Sequence, residues 1–218
     1  MSTTDTRTLR VYRFKRGDGA EHFDEFEVPV GPRMSILDAL RWIQLHRDPS
    51  LALRHSCLHA SCGTCGVQVD GREELACVSA VRDHGETITV EPLANLPILT
   101  DLVVDVGEFF ARFPEHPIIR ASEADGYVRL EDCIECGLCL SACPVAATSR
   151  HYVGPAALVA AQRLLEEPRG ADREDVLAWA DRPEAAWGCH LGFECARACP
   201  AEAIPAERIM ALRRELAR

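Results

Sequence analysis

Eleven cysteines fall into three runs. The first is Cys57, Cys62, Cys65 and Cys77. The second is Cys133, Cys136, Cys139 and Cys143, closed by Pro144. The third is Cys189, Cys195 and Cys199, closed by Pro200. Thiolate is the ligand that iron–sulfur clusters require, and spacing decides which sulfurs can reach one inorganic core. The spacing therefore points to one-electron chemistry. Disulfides are the plainer use of many cysteines. They suit small exported chains, whereas this count is odd and the opening MSTTDTRTLRVYRFKRGDG holds no apolar stretch that could serve as an export signal.

Cys57-x4-Cys62-x2-Cys65, with Cys77 further on, has the plant-type spacing of a [2Fe–2S] centre. Three sulfurs on one tight loop must turn inward together, and Ala60, Ser61, Gly63, Thr64 and Gly66 are small enough to let the backbone bend. Their amides can donate to sulfur, which raises the reduction potential. A four-cysteine zinc site is the rival, but zinc loops usually pair two CxxC knuckles, and here only one close pair stands. Cys133-x2-Cys136-x2-Cys139-x3-Cys143-Pro144 is the bacterial ferredoxin run, in which the fourth cysteine crosses to a neighbouring cluster. The third run supplies that neighbour with one ligand missing, because Gly192 stands where a cysteine would complete it. The spacing assigns Cys133, Cys136, Cys139 and Cys199 to a [4Fe–4S] cluster. Cys143, Cys189 and Cys195 are left for a [3Fe–4S] cluster, the alternative being four irons with water or a side chain on the fourth. Fewer thiolates mean less negative charge, so that centre should take an electron more readily.

The elements that must position these ligands differ between the halves. Leu9–Phe14 alternates as a strand, Gly17-Asp18-Gly19 signals a turn, and Phe23, Phe26, Val28 and Val30 fit a return strand. Ser35 with Asp38 predicts a helix start, and Ile36, Leu37, Leu40, Ile43 and Leu45 recur at helical spacing. A loop from Arg54 to Gly66 carries three cysteines. A hairpin through Asp70-Gly71 and a last strand over Thr87–Val90 follow. Leu102, Val103, Val106, Phe109, Phe110 and Phe113 predict a connecting helix. The polar, aperiodic segment Glu115–Arg129 reads as the best boundary between domains, and the domains themselves are assigned to residues 1–105 and 106–218. The second half reads as helical, with helices after Gly154-Pro155, over Ala171–Ala180 and over Ala206–Leu216. Its cysteine motif occurs twice, which suggests an internal pseudo-repeat. Trp179 and Trp187 read as helix-packing residues, and Arg213, Arg214 and Arg218 as a basic helix end that could face an anionic surface. The fold class is thus α+β.

At 218 residues, 47% hydrophobic, the chain can form a core of its own. A net charge of −10 repels phosphate backbones, so nucleic acid is not an expected partner. No run of about 18 apolar residues is present to span a bilayer.

The order of these motifs resembles the iron–sulfur subunit of succinate dehydrogenase and fumarate reductase. Leu96–Asp105 looks like that family's linker, and Gly154-Pro155-Ala156-Ala157-Leu158 like its helix start between the two ferredoxin runs. The resemblance implies a β-grasp, plant-type ferredoxin-like domain followed by a helical dicluster ferredoxin-like domain. It implies two partners, an FAD-containing flavoprotein and a membrane anchor with quinone, and a peripheral place on the cytoplasmic side of the membrane. The [2Fe–2S] centre would then face FAD and the [3Fe–4S] centre quinone, with the dicarboxylate bound by the flavoprotein and no catalytic residue in this chain. His190 and Pro144 fall in the quinone neighbourhood, a surface histidine being the plainer reading of His190. The chain departs from the family in two places. Thr148 stands where the ubiquinone-using branch has tryptophan, which suits a differently built site, such as one for menaquinone. Leu58-His59-Ala60 replaces an arginine- and glycine-bearing stretch of the first loop. Other readings are the iron–sulfur arm of another flavin enzyme and a free-standing multi-cluster ferredoxin. The thiol-linked fumarate reductases carry a further cysteine-rich domain, which is not expected here.

Overall fold

A computed structural model of the chain describes residues 5–15, 17, 20–114, 133–166 and 172–218. The chain divides into two compact units, Met1–Val106 and Gly107–Arg218.

The first unit is a β-grasp. Strand β1 (Thr6–Arg13) pairs antiparallel with β2 (His22–Pro29) and parallel with a later strand, β5 (Thr87–Glu91). Between them lie helix α1 (Ile36–His46) and the hairpin β3 (Gly66–Val69) and β4 (Arg72–Leu75), giving the order β2-β1-β5-β3-β4. Leu9 and Val11, Val28, Ile88 and Val90 are fully buried in the sheet, and Ile36, Leu40 and Ile43 on the helix. Leu45 departs from expectation. It is 76% exposed, because one step past Gln44 turns it off the buried stripe. Helix α1 starts where predicted. Ser35 Oγ accepts from the Asp38 amide at 3.1 Å, and Asp38 returns the bond to the Ser35 amide at 3.1 Å. The β3–β4 turn puts Asp70 and Gly71 at φ of 49° and 76°, the pair of left-handed residues that a two-residue hairpin needs. Of the turn expected at Gly17-Asp18-Gly19, Gly17 lies in a turn, and the other two residues fall outside the described ones.

The predicted connecting helix is shorter than its apolar spacing suggested. Residues 98–104 form a small hairpin instead, β6 (Ile98–Thr100) and β7 (Val103–Val104), and only α2 (Val106–Phe110) is helical. The reason is Asp101, whose φ of 43° breaks a helix and whose carboxylate is fully buried. It accepts from Arg13 Nε at 3.2 Å, from the Phe14 amide at 3.0 Å and from the Ala52 amide at 2.8 Å. Arg13, itself buried, also donates to Asp24, Asp48 and Ser50. A guanidinium taken out of water must be paired in this way. The network ties the strands to the stretch 48–52, which is the stem of the first cysteine loop. Hydrogen bonds from Ser50, then from Arg13, hold Asp48 down to about 2. The segment Glu115–Arg129 lies outside the described residues.

The second unit is helical. Two short helices, α3 (Leu138–Ser141) and α4 (Pro144–Thr148), lead to α5 (Pro155–Glu166), which packs against α6 (Arg173–Ala180) and the last helix. A third short helix, α7 (Glu194–Arg197), precedes α8 (Pro205–Leu216). Leu158, Ala161, Ile209 and Leu212 are buried where α5 meets α8. Gly154 opens α5 at φ +93°. A Cβ there would stand 2.6 Å from Leu140 Cδ1, so a larger residue would have to push that buried side chain aside. Trp187 is not a helix-packing residue. It sits on a single 3-10 turn, Ala186–Gly188, is 45% exposed, and donates to Asp181 at 2.7 Å.

Candidate metal centres

The first cysteine loop lies outside the sheet's core. Cys62 is exposed, Cys57 and Cys77 are half-buried, and Cys65 is buried next to β3. Leu58 and Ala60 take φ of 64° and 59°, a conformation that costs a side-chain-bearing residue about 1–2 kcal/mol. The strain turns backbone amides toward sulfur. Ala60 N–H points at Cys77 Sγ at 3.3 Å, Ser61 N–H at Cys57 Sγ at 3.3 Å, and Cys62 N–H at the same sulfur at 3.4 Å. Amides of His59, Ser61 and Cys62 bring Cys57 down to about 7, so a thiolate forms there near neutral pH. Burial, and then the neighbouring Cys77 and Cys62, push Cys65 up to about 12. That thiol ligates iron only with release of its proton to solvent as the metal takes its place on sulfur.

In the second unit the cysteines belong to the core. Cys139, Cys143 and Cys195 are buried and the others half-buried. Their mutual influence sorts them. Burial pushes Cys136 up to about 11, with the charges of Cys133 and Cys199 adding to it. Cys139 is raised further by burial and by Cys136, Cys133, Cys195 and Cys199. Cys143 is raised by burial and feels Cys189. Burial pushes Cys195 up to about 11, and it feels Cys189 and Cys143. The fold thus brings Cys199 to the first run and Cys143 to the third, with Cys139 next to both groups. Cys143, Cys189, Cys195, Pro144, His190 and Gly192 line one small cavity. A Cβ on Gly192 would meet only Pro144 Cγ, at 3.7 Å.

None of the eleven cysteines is in a disulfide. Among the described residues no three His, Cys, Asp or Glu side chains converge as ligands of one metal ion do. Such convergence is what a zinc site would need. In a three- or four-iron cluster each thiolate takes a different iron, so the sulfurs stand further apart, and in a [2Fe–2S] centre the four thiolates divide two to each iron. The donor set and the inward-turned amides fit such clusters.

Sequence reasoning missed two residues here. Arg213, expected at a basic surface, turns inward. It donates to the carbonyls of Ala186 at 2.7 Å and Cys189 at 2.5 Å, and so clamps the start of the third run. Its position on α8 gives no hint of this. Tyr152 lines the same cavity and carries no cysteine-like spacing signal. His190 is exposed beside Cys189, and Thr148 back-bonds to the Pro144 and Val145 carbonyls.

A β-grasp bearing one cysteine loop, followed by a helical unit bearing two interleaved sets, defines a multi-cluster iron–sulfur protein of the electron-transfer class. Residues 8–111 match the 2Fe-2S iron-sulfur cluster binding domain, and residues 129–203 the 4Fe-4S dicluster domain. The fumarate reductase iron-sulfur subunit of Mycobacterium tuberculosis is 37% identical over 94% of this chain and 90% of its own. The succinate dehydrogenase iron-sulfur subunit of Coxiella burnetii is 28% identical over 96% of each chain. A chain of the Mycobacterium smegmatis Sdh1 complex superposes with a TM-score of 0.85 at 25% identity, over 99% of this chain and 97% of that one. The chain belongs to the family of iron–sulfur subunits of fumarate reductase and succinate dehydrogenase. It is an electron-transfer subunit of that enzyme class. Among the described residues no helix is long and apolar enough to cross a membrane.

Proposed function

We propose that this chain relays single electrons between the FAD of a flavoprotein and a quinone at a membrane anchor, on the cytoplasmic side of the membrane. The observation that carries the reading is the sorting of eleven cysteines into sets of four, four and three. Cys57, Cys62, Cys65 and Cys77, in residues 1–105, hold a [2Fe–2S] cluster. Cys133, Cys136, Cys139 and Cys199 hold a [4Fe–4S] cluster, and Cys143, Cys189 and Cys195 a [3Fe–4S] cluster, all in residues 106–218. Each cluster, when bound, takes up and returns one electron. The protein supplies the rest. Amides of Ala60, Ser61 and Cys62 balance sulfur charge on the flavin side. Buried walls exclude water around Cys139, Cys143 and Cys195. His190 and Pro144 border the cavity of Cys143, Cys189 and Cys195, which supports reading them as the quinone-side residues.

Gly192→Cys tests the ligand count. The backbone there is not left-handed and the space is open, so the cysteine is accommodated. The complex is purified with its flavoprotein and oxidised. The wild type is expected to show the EPR signal of a three-iron centre, and the variant to lose it and gain one iron per chain. An unchanged signal in the variant overturns the assignment.

A further inference from the structure

The side chain of Tyr152 is almost fully enclosed, at 2% exposure, yet its hydroxyl completes no hydrogen bond of good geometry among the described residues. Burying a phenolic O–H unpaired costs about 1–3 kcal/mol, so such a group usually marks a partner that occupies the space beside it. Tyr152 lines the cavity of Cys143, Cys189 and Cys195. Those three thiols are also the groups whose charge bears on it, and the Cys189 sulfur lies near enough to its hydroxyl to act as an acceptor.

The surroundings hold the ring in place. A Cβ on Gly188 would come within 2.9 Å of Tyr152 Cδ2, so the bare glycine backbone packs against the ring edge. Arg112 donates to the Tyr152 carbonyl at 3.1 Å, and the Val153 amide donates to the Glu184 carbonyl at 3.0 Å. The backbone is thus pinned on both sides. The ring cannot swing out to water without disturbing Gly188 and α5.

We infer that the Tyr152 hydroxyl donates a hydrogen bond to a sulfur of the cluster held by Cys143, Cys189 and Cys195, and so tunes its reduction potential. This rests on the three-thiolate reading above. A donor at sulfur stabilises the more negative, reduced state, so the bond raises the potential. Tyr152 is a tuning residue and does not ligate iron.

The test is an EPR-monitored redox titration of the intact complex, comparing wild type with Tyr152→Phe. Phenylalanine keeps the ring and its contacts. Removing one charge-assisted hydrogen bond is expected to lower the equilibrium constant for reduction roughly tenfold, a shift of about 59 mV to lower potential for one electron. The other clusters should keep their potentials. Deuterium exchange followed by ENDOR should remove one strongly coupled proton in the wild type that is already missing from the variant. If Tyr152→Phe fails to hold the cluster, 3-fluorotyrosine at position 152 decides alone. Its more acidic hydroxyl is a stronger donor and should move the potential upward. A three-iron signal present in all forms, with no shift in potential and no lost proton, overturns the role of Tyr152. No three-iron signal even in the wild type overturns the ligand assignment instead.

Discussion

The two cysteine runs of the helical unit share one backbone and differ in one ligand. Glu135 and Leu191, each two residues after the first cysteine of its run, take φ of 54° and 56°. Gly137 and Phe193, two further on, take φ of 81° and 62° and cap the four-residue helices α3 and α7. Each run then closes on Cys-Pro. A left-handed residue before a proline, Gly154 in one and Ile204 in the other, opens the twelve-residue helices α5 and α8. Position 136 is cysteine and position 192 is glycine. On the ligand assignment proposed above, ligand count is set by a single side chain on a backbone that both runs repeat, and not by a change of fold. The second half also tolerates phenylalanine and isoleucine where the first half uses glycine. Each costs about 1–2 kcal/mol in the left-handed region.

The largest break of this comparison is Cys136→Gly, which gives the first run the ligand pattern of the third. It is expected to cost the four-thiolate site one iron, seen as a fall in iron per chain and a second three-iron EPR signal after oxidation. Full iron content with a single three-iron signal would show that the halves are not equivalent. Next comes Gly154→Ala. A Cβ at left-handed φ, 2.6 Å from the buried Leu140, should cost about 2–4 kcal/mol, read as a lower midpoint in thermal unfolding of the cluster-loaded protein. The smallest effect is Ile204→Gly. Relief of left-handed strain, less the greater chain entropy of glycine, should stabilise by about 0.5–1 kcal/mol. A loss on that substitution would mean that the partly exposed Ile204 side chain carries packing that outweighs its backbone strain.

A second contrast lies between the units. The first unit has a sheet core and a buried Arg13–Asp101 network, with its cysteine loop largely outside. The second has Cys139, Cys143 and Cys195 within its core. Metal binding and folding are linked wherever ligands are core residues, so cluster chemistry and stability are bound together more closely in the second unit.

Much of this was legible along the chain. Cysteine spacing, the Ser35 cap, the Asp70-Gly71 turn and the Gly154-Pro155 helix start are local signals, carried by residues a few positions apart. The β6–β7 hairpin was hidden because apolar spacing at Leu102, Val103 and Val106 suits a helix equally well. What decided it was Asp101 meeting Arg13, 88 residues away. Helices α3, α4 and α7 span four or five residues, too few for a periodic pattern to show.

The amino-acid sequence by itself determined which atoms could bind iron and how many each run offered, because ligand type and count are properties of residues. Only the tertiary structure decided that Arg213 clamps Cys189 and that the Tyr152 hydroxyl is sealed in beside three thiols. Those relations join residues up to 43 positions apart. They exist only once apolar burial has packed α5 against α8 and closed the space between them.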